Sequence, residues 1–183
     1  MSTSRIYKVE AIILKRRNVG ETDRILTVFS KEYGKLRVIA KGIRRITSRR
    51  APHLEIFNRA TLLLHKGKTL DIVTEADLLD GYQELRKKLT LVNGCYYCCE
   101  LIDALLPEKQ EHRDVYVLFS RALSTFASKQ DIDINRNCEQ FALSLLRALG
   151  FLPVNRELPP AQIQPFIESI TERRIRTYRF LKE

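Results

Sequence analysis

The apolar periodicity of this chain changes once, near residue 80, and that change limits the fold more than any other feature. From residue 5 to about 79 the runs SRIYKVEAIILKRR, DRILTVFSKE, KLRVIAKGI, EIFNRATLLLHKGK and TLDIVTEADLL are rich in Ile, Val, Leu, Thr and Phe. Several alternate, as half-buried strands do. In the third run Leu36, Val38 and Ala40 oppose Lys35, Arg37 and Lys41, with Ile39 between, so one face goes to a core and the other is left cationic. Beyond Asp80 the apolar residues recur at i, i+3, i+4 and i+7, the period of a helix. Cys95, Cys98, Cys99 and Ile102 form one such stripe; Val115, Leu118, Phe119, Ala122, Leu123 and Phe126 form a second. Cys138, Phe141, Ala142, Leu145, Leu146 and Leu149 form a third.

Five short strands with no helical pattern between them favour a small antiparallel β-barrel over a parallel sheet. Among such barrels the OB-fold is the first choice and an SH3-like barrel the second; periodicity does not separate them. The expected architecture is therefore α+β: a barrel over residues 1–79, then a helical bundle of four or five helices over residues 80–183. Tyr33-Gly34-Lys35 and Lys66-Gly67-Lys68 are expected to close hairpins, with glycine supplying a positive φ. Asp80 and Gln83 have the form of a helix cap and its capping-box partner ahead of YQELRKKL. Pro107 should end the first long helix and Gly150 cap a later one, while Pro165 should sit in the first turn of a final helix reaching about Arg173. No linker rich in Pro, Gly or Ser intervenes, so the two parts are expected to pack tightly.

Charge narrows the choice of partner. The chain of 183 residues is 44% hydrophobic, enough for a sizeable core, and carries a net charge of +10 with a pI near 9.6. Residues 1–50 hold 14 Lys and Arg against four acids, whereas residues 51–183 hold 18 of each. The decapeptide KGIRRITSRR, Lys41 to Arg50, has five cations and no acid. Such asymmetry points to a polyanion, nucleic acid or an anionic membrane face, against the plainer reading of a solubilising surface. MSTSRIYKVE does not read as a signal peptide, and no apolar stretch approaches the ~20 residues needed to cross a bilayer. The expectation is a cytoplasmic protein with no membrane partner, nucleoid-associated if it binds DNA.

The chemistry of a catalyst is not evident. His53, His65 and His112 lie far apart, and there is no phosphate-cradling glycine loop, GxSxG elbow or paired acidic motif. Cys95-x-x-Cys98-Cys99 could supply half of a zinc site, yet helical spacing already explains these residues as small apolar side chains on a buried stripe. No catalytic residue, metal or cofactor is assigned, and a phosphodiester enzyme ranks last among the readings.

Sequence-tolerant DNA binding needs cations that follow a phosphate backbone beside aromatic rings on which bases stack. Lys15, Arg16 and Arg17 end the first strand and Arg24 opens the second. Lys35 and Arg37 lie on or beside the third, and Lys41, Arg44, Arg45, Arg49 and Arg50 follow it. If strands one to three pair in order, these groups gather at one face and rim of the barrel. Tyr7, Phe29, Tyr33 and Phe57 are the stacking candidates, each also a good core residue. Lys41, Arg44 and Arg45 are close enough to the strand to be held on the rim, whereas Arg49 and Arg50 are expected to form a mobile arm. The rival reading, from a different class, is an adaptor whose helices dock partner proteins while the basic rim only aids solubility.

The segment AIILKRRNVGETDRILTVFSKEYGKLRVIAKGIRR resembles the N-terminal signature of the RecO family of bacterial recombination mediators, in its basic strand end, its NxGExDRI turn and its GKL…AKGxRR strand. The likeness continues through LDIVTEADLLDGYQELRKKL, ELIDALLPE, FALSLLRALGFLP and the ending RRIRTYRFLKE. It implies an OB-fold followed by a helical domain and a non-enzymatic role in recombinational repair. Implied with it are binding of single- and double-stranded DNA and annealing of complementary strands. It also implies contact with the tail of the single-stranded-DNA-binding protein, a RecR-type partner, and indirect service to a RecA-type recombinase. Many family members insert a longer segment, often with a CxxC…CxxC zinc site, where this chain runs from Pro153 to Pro165 without a cysteine, so the resemblance implies no zinc here.

Overall fold

The computed structural model describes residues 5–128 and 132–181. The first four residues of MSTSRIYKVE and the last two of RRIRTYRFLKE lie outside the described residues. The chain divides into two compact units, Met1–Gly81 with Pro107–Arg113, and Tyr82–Leu106 with Asp114–Glu183.

The first unit is a closed barrel of five strands: β1 (Ile6–Val19), β2 (Asp23–Ser30), β3 (Gly34–Ala40), β4 (Arg59–His65) and β5 (Asp71–Asp80). Their order around the barrel is β1-β2-β3-β5-β4. All neighbours are antiparallel except β3 and β5, which pair in parallel at Val38–Asp71 and Ile39–Ile72. This is the OB-fold, and the SH3-like alternative falls away. Strict alternation builds its interior. In β4, Ala60, Leu62 and Leu64 are fully buried while Thr61, Leu63 and His65 are only half so, and the buried set meets Val9, Leu26, Val38 and Val73 in the barrel core.

One irregularity decides where the cations of β1 go. Ile13 pairs with Val28, but Lys15 pairs with Thr27, so Leu14 is an extra residue. Such a bulge inverts the parity of everything that follows it. Lys15 and Arg17 thereby share rows with the outward Thr27 and Ile25, whereas Arg16 takes the row of the buried Leu26.

Pro107–Arg113 belongs with the barrel, although the helical pattern around it would place it elsewhere. Lys109 N–H donates to Lys35 O at 2.8 Å, and the backbones of Glu108 and Lys35 pair as a single parallel β-bridge. Gly34 makes room for this strap: its φ is +66°, and a Cβ there would lie 1.7 Å from Gln110 O. Gly67 answers a different need from the one expected. It is not among the glycines of positive φ; instead a Cβ would meet Leu70 O at 2.0 Å.

The second unit contains α1 (Leu89–Leu105), α2 (Arg113–Ser128), α3 (Ile134–Ala148) and α4 (Pro160–Thr171). Two of the expected boundaries are corrected. Asp80 caps no helix, because β5 runs extended through it; a 3-10 turn at Gln83–Lys87 follows left-handed Tyr82, and α1 begins only at Leu89. The last helix starts at Pro160, where a proline loses no intrahelical bond, so Pro165 lies inside it, and the helix stops at Thr171 with left-handed Glu172. Pro107 does follow the end of α1. Gly150, at φ +78°, closes α3 as expected: its N–H donates to Arg147 O and that of Phe151 to Leu146 O. Cys95, Cys98, Cys99 and Cys138 are all buried, and burial pushes the Cys95 and Cys98 thiols well above the usual range. Among the described residues, no group of three or more His, Cys, Asp or Glu side chains could hold a metal, and no helix is long and apolar enough to cross a membrane.

Candidate nucleic-acid interface

β1, β2 and β3 form a meander, so the cations can be placed row by row. Lys15, Thr27 and Arg37 share one row of the outer face, and Arg17, Ile25 and Ile39 share another. Lys15, Arg17 and Arg37 are exposed, with half-buried Thr27, Ile25 and Ile39 between them. Arg37 also pairs with Glu108 of the strap, Nε to Oε1 at 2.8 Å.

The cations of the inward rows are engaged by an acid. Arg16 bonds to Glu55, and Arg24 approaches the same carboxylate at 3.5 Å while its Nε donates to Asn18 Oδ1 at 3.0 Å. Exposed pairs of this kind stabilise by about 1 kcal/mol or less, but they lower the local positive potential. Lys35, expected on the cationic face, is 7% exposed and does not belong to an open surface.

Past β3 the chain makes a turn that an aspartate organises. Asp23 Oδ1 accepts from Gly42 N–H at 2.8 Å and from Thr22 Oγ1 at 3.0 Å. These bonds, with Lys41 and Arg45 nearby, hold the carboxyl below its usual range. Gly42 is left-handed at φ +65°, and Arg45 N–H donates to its carbonyl at 3.2 Å. Arg44 N–H bonds to Thr22 O at 2.9 Å and its guanidinium to Gly20 O at 3.2 Å. Lys41, Arg44 and Arg45 are thus exposed on an ordered turn.

Arg50 is not part of an arm. Its guanidinium donates to Val73 O and, at 2.7 Å, to Lys41 O, tying the loop to β5 and to the end of β3. Arg49 is exposed. Of the stacking candidates, Phe29 and Phe57 are buried and out of reach of a base. Tyr33 is 47% exposed, and Tyr7 packs edge-on against it with ring centroids 5.2 Å apart.

Sequence reasoning finds the cations but misses Glu55 and Glu108, the acids that engage three of them, and Asp23, which shapes the turn. An Asp one strand away from a glycine turn carries a faint signal. The pairing of Glu55 with two strands carries none that is local.

A closed OB barrel with cations on the outer face of its meander and on the turn after β3, joined in one chain to a helical unit, defines the class of protein. Comparison with known proteins gives the particular family. The description Recombination protein O N terminal matches residues 1–82, and Recombination protein O C terminal matches residues 86–156. The DNA repair protein RecO of Roseiflexus sp. (strain RS-1) is 36% identical over 149 residues, 81% of this chain and 52% of that protein. The proteins of the same name from Symbiobacterium thermophilum and Pelotomaculum thermopropionicum are each 32% identical, over 81% and 82% of this chain and 58% and 57% of their own lengths. The chain belongs to the RecO family of DNA repair proteins, and it spans between half and three-fifths of the length of these relatives.

Proposed function

We propose that this chain binds single- and double-stranded DNA through its barrel, without catalysis, and acts as a recombination mediator that anneals complementary strands. The observation that carries this reading is the alignment of Lys15 and Arg37 in one outer row and Arg17 in the next, with the ordered Lys41–Arg45 turn beyond β3. A ladder and backbone bonds fix the spacing of these cations, so only their side chains need to order on meeting phosphates. They contact no base edge, so binding tolerates sequence. Annealing two polyanions requires such a surface, one that lowers their repulsion without locking onto either strand.

The remaining assignments of the family reading concern proteins. An acidic, apolar-ended tail of the single-stranded-DNA-binding protein would have as its candidate groove the one lined by Leu143, Leu158 and Ile163 with Arg136 and Arg147, whose lining also includes Glu139 and Glu157. A RecR-type partner would complete the mediator, and a RecA-type recombinase would benefit indirectly. The setting is the cytoplasm, at the nucleoid.

The adaptor reading draws support from the engagement of Arg16, Arg24 and Arg37 by Glu55 and Glu108. A salt titration of single-stranded DNA binding separates the two. Arg44→Glu with Arg45→Glu should weaken binding to all sequences alike and flatten the log–log salt slope by about one unit for each phosphate no longer neutralised. Unchanged affinity and slope would sink the placement, and protein-partner binding without any DNA binding would establish the adaptor. Annealing with and without single-strand-binding protein, across salt, tests the mediator role itself.

A further inference from the structure

At the end of the barrel where β1 and β3 begin, Ile6, Tyr7, Tyr33, Leu36, Lys66, Asp71 and Lys109 line a cavity of about 450 Å³. That volume is within the range of small-ligand sites. None of its cations belongs to the set that the charge pattern singled out. Lys66 comes from the β4–β5 loop, and Lys109 from the strap, some 70 residues away in sequence from the β3 carbonyl that holds it.

The cavity is built with some care for geometry. Lys109 is held left-handed at φ 61°, a conformation uncommon for a residue with a side chain, and its N–H is fixed on Lys35 O at 2.8 Å. Tyr33 lines the cavity and is 47% exposed. Its N–H is fixed by Ser30 Oγ at 2.9 Å, and Tyr7 braces it edge-on at an interplanar angle of 67°. Tyr7 is held in turn, its hydroxyl donating to Asp71 Oδ2 while Gly67 N–H donates to Oδ1 at 3.1 Å. Burial and the Asp71 carboxylate push the Tyr7 phenol well above its usual range, so it stays a donor across physiological pH.

We propose that this cavity is a nucleotide pocket, in which one unstacked base of a single strand lies on Tyr33 while Lys66 and Lys109 take its flanking phosphates. The inference rests on the DNA-binding reading and adds a second subsite to it, at the opposite end of β3 from the Lys41–Arg45 turn, roughly 20 Å away for a strand of this length. The chemistry favours a base over an acidic peptide. Each Asp71 oxygen keeps a lone pair after its bond to Tyr7 or Gly67, and every base carries at least one N–H donor, whereas ionised acidic side chains offer none and a peptide could meet the carboxylate only through its backbone N–H groups. A flat, half-exposed ring with cations beside it is also the arrangement that sequence-tolerant stacking requires.

The probe is a tetradeoxynucleotide carrying one 2-aminopurine, whose fluorescence is quenched when it stacks. The wild-type protein should quench it. Tyr33→Ala should abolish the quench and weaken tetramer binding about tenfold, and Tyr33→Phe should restore both. Lys109→Ala should weaken binding several-fold and leave the bound probe quenched. Thermal unfolding of each variant is measured alongside; Tyr33→Phe should melt as the wild type does, and Tyr33→Ala slightly lower because it loses the contact with Tyr7, so the quench is compared where each variant is fully folded. Arg44→Glu with Arg45→Glu should weaken binding of long single strands while sparing the tetramer's quench, which supports two separate subsites. A tetramer signal indifferent to Tyr33, with long-strand binding intact and sensitive to Arg44 and Arg45, overturns the pocket and leaves the DNA-binding reading standing. Loss of all DNA binding in the wild type overturns both. Displacement of the tetramer by an acidic, apolar-ended peptide at lower concentration than by a second tetramer also overturns the proposal, in favour of a peptide site.

Discussion

The barrel and the helical unit are specified in different ways, and the difference sets how each responds to change. In the barrel a ladder that closes on itself fixes every residue's neighbour, so a backbone clash has nowhere to go. In the helical unit the helices meet through side-chain ends, as where Gly94 of α1 faces Ile134 and Cys138 of α3. Side-chain ends can rotate; paired strands cannot slide without breaking their bonds.

Gly34→Ala is the sharpest way to break this contrast. The new Cβ would sit 1.7 Å from a backbone carbonyl, Gln110 O, on a residue already at φ +66°. Urea unfolding should show a loss of about 3 kcal/mol or more, with the strap detached from β3. A loss below about 1 kcal/mol would mean that Pro107–Arg113 is not held as tightly as the close approach of Gln110 requires.

The same contrast explains which parts of the molecule are legible in its sequence. Alternation in β3 and β4 displays their faces, and YGK displays the β2–β3 turn, because strand pairing depends on period-two patterns that are local. The bulge at Leu14 is invisible: nothing in IILKRR says which residue will be skipped, and the skip decides that Lys15 and Arg17, not Arg16, face outward. Lys35 reads as a surface cation until a strap from residues 107–113 pairs with its backbone, a pairing no local pattern can announce. At Asp80 and Gln83 the capping-box pattern is present and yields to β5, whose pairing with Arg59 keeps Asp80 extended. Helix ends depend on single residues, and where three prolines are available, at 159, 160 and 165, the pattern points to the wrong one.

A smaller effect separates the two neighbouring arginines of the loop. Arg50→Ala removes charged bonds to Val73 O and Lys41 O, and should cost about 1–2 kcal/mol in stability. Arg49→Ala should leave the unfolding midpoint unchanged and show its effect, if any, in DNA affinity alone. Equal stability losses in both variants would contradict the anchoring of the loop through Arg50.

Gly94→Ala belongs below these. A Cβ would lie 2.6 Å from Cδ1 and Cγ1 of Ile134 and 3.2 Å from Cys138 Sγ, all side-chain atoms. Relief by rotation of Ile134, and the gain of about 1 kcal/mol from replacing glycine within a helix, should leave the net change within about 1 kcal/mol. A loss as large as that of Gly34→Ala would show that α1 and α3 are as rigidly registered as the strands.

The smallest effect lies at Asp23 and appears only in acid. Its carboxyl is held below the ordinary value, first by the bond from Gly42 N–H, then by Thr22, with desolvation opposing and the Lys41 and Arg45 charges assisting. A depressed pKa in the folded state stabilises the fold above the unfolded value, near 4, and that stabilisation is lost as pH falls through the folded value. The dependence is therefore confined to strongly acidic conditions and is flat at neutral pH. Asp23→Asn keeps an acceptor for Gly42 N–H but cannot titrate, so the acid limb of the unfolding midpoint between about pH 2 and 5 should become shallower. At neutral pH the same variant removes a negative charge beside Lys41 and Arg45, and its affinity for single-stranded DNA should rise modestly, more at low salt than at high. Because the turn keeps its bond, a rise in affinity separates the electrostatic role of Asp23 from its structural one; a fall would mean that the ordered turn matters more to DNA than the charge it carries.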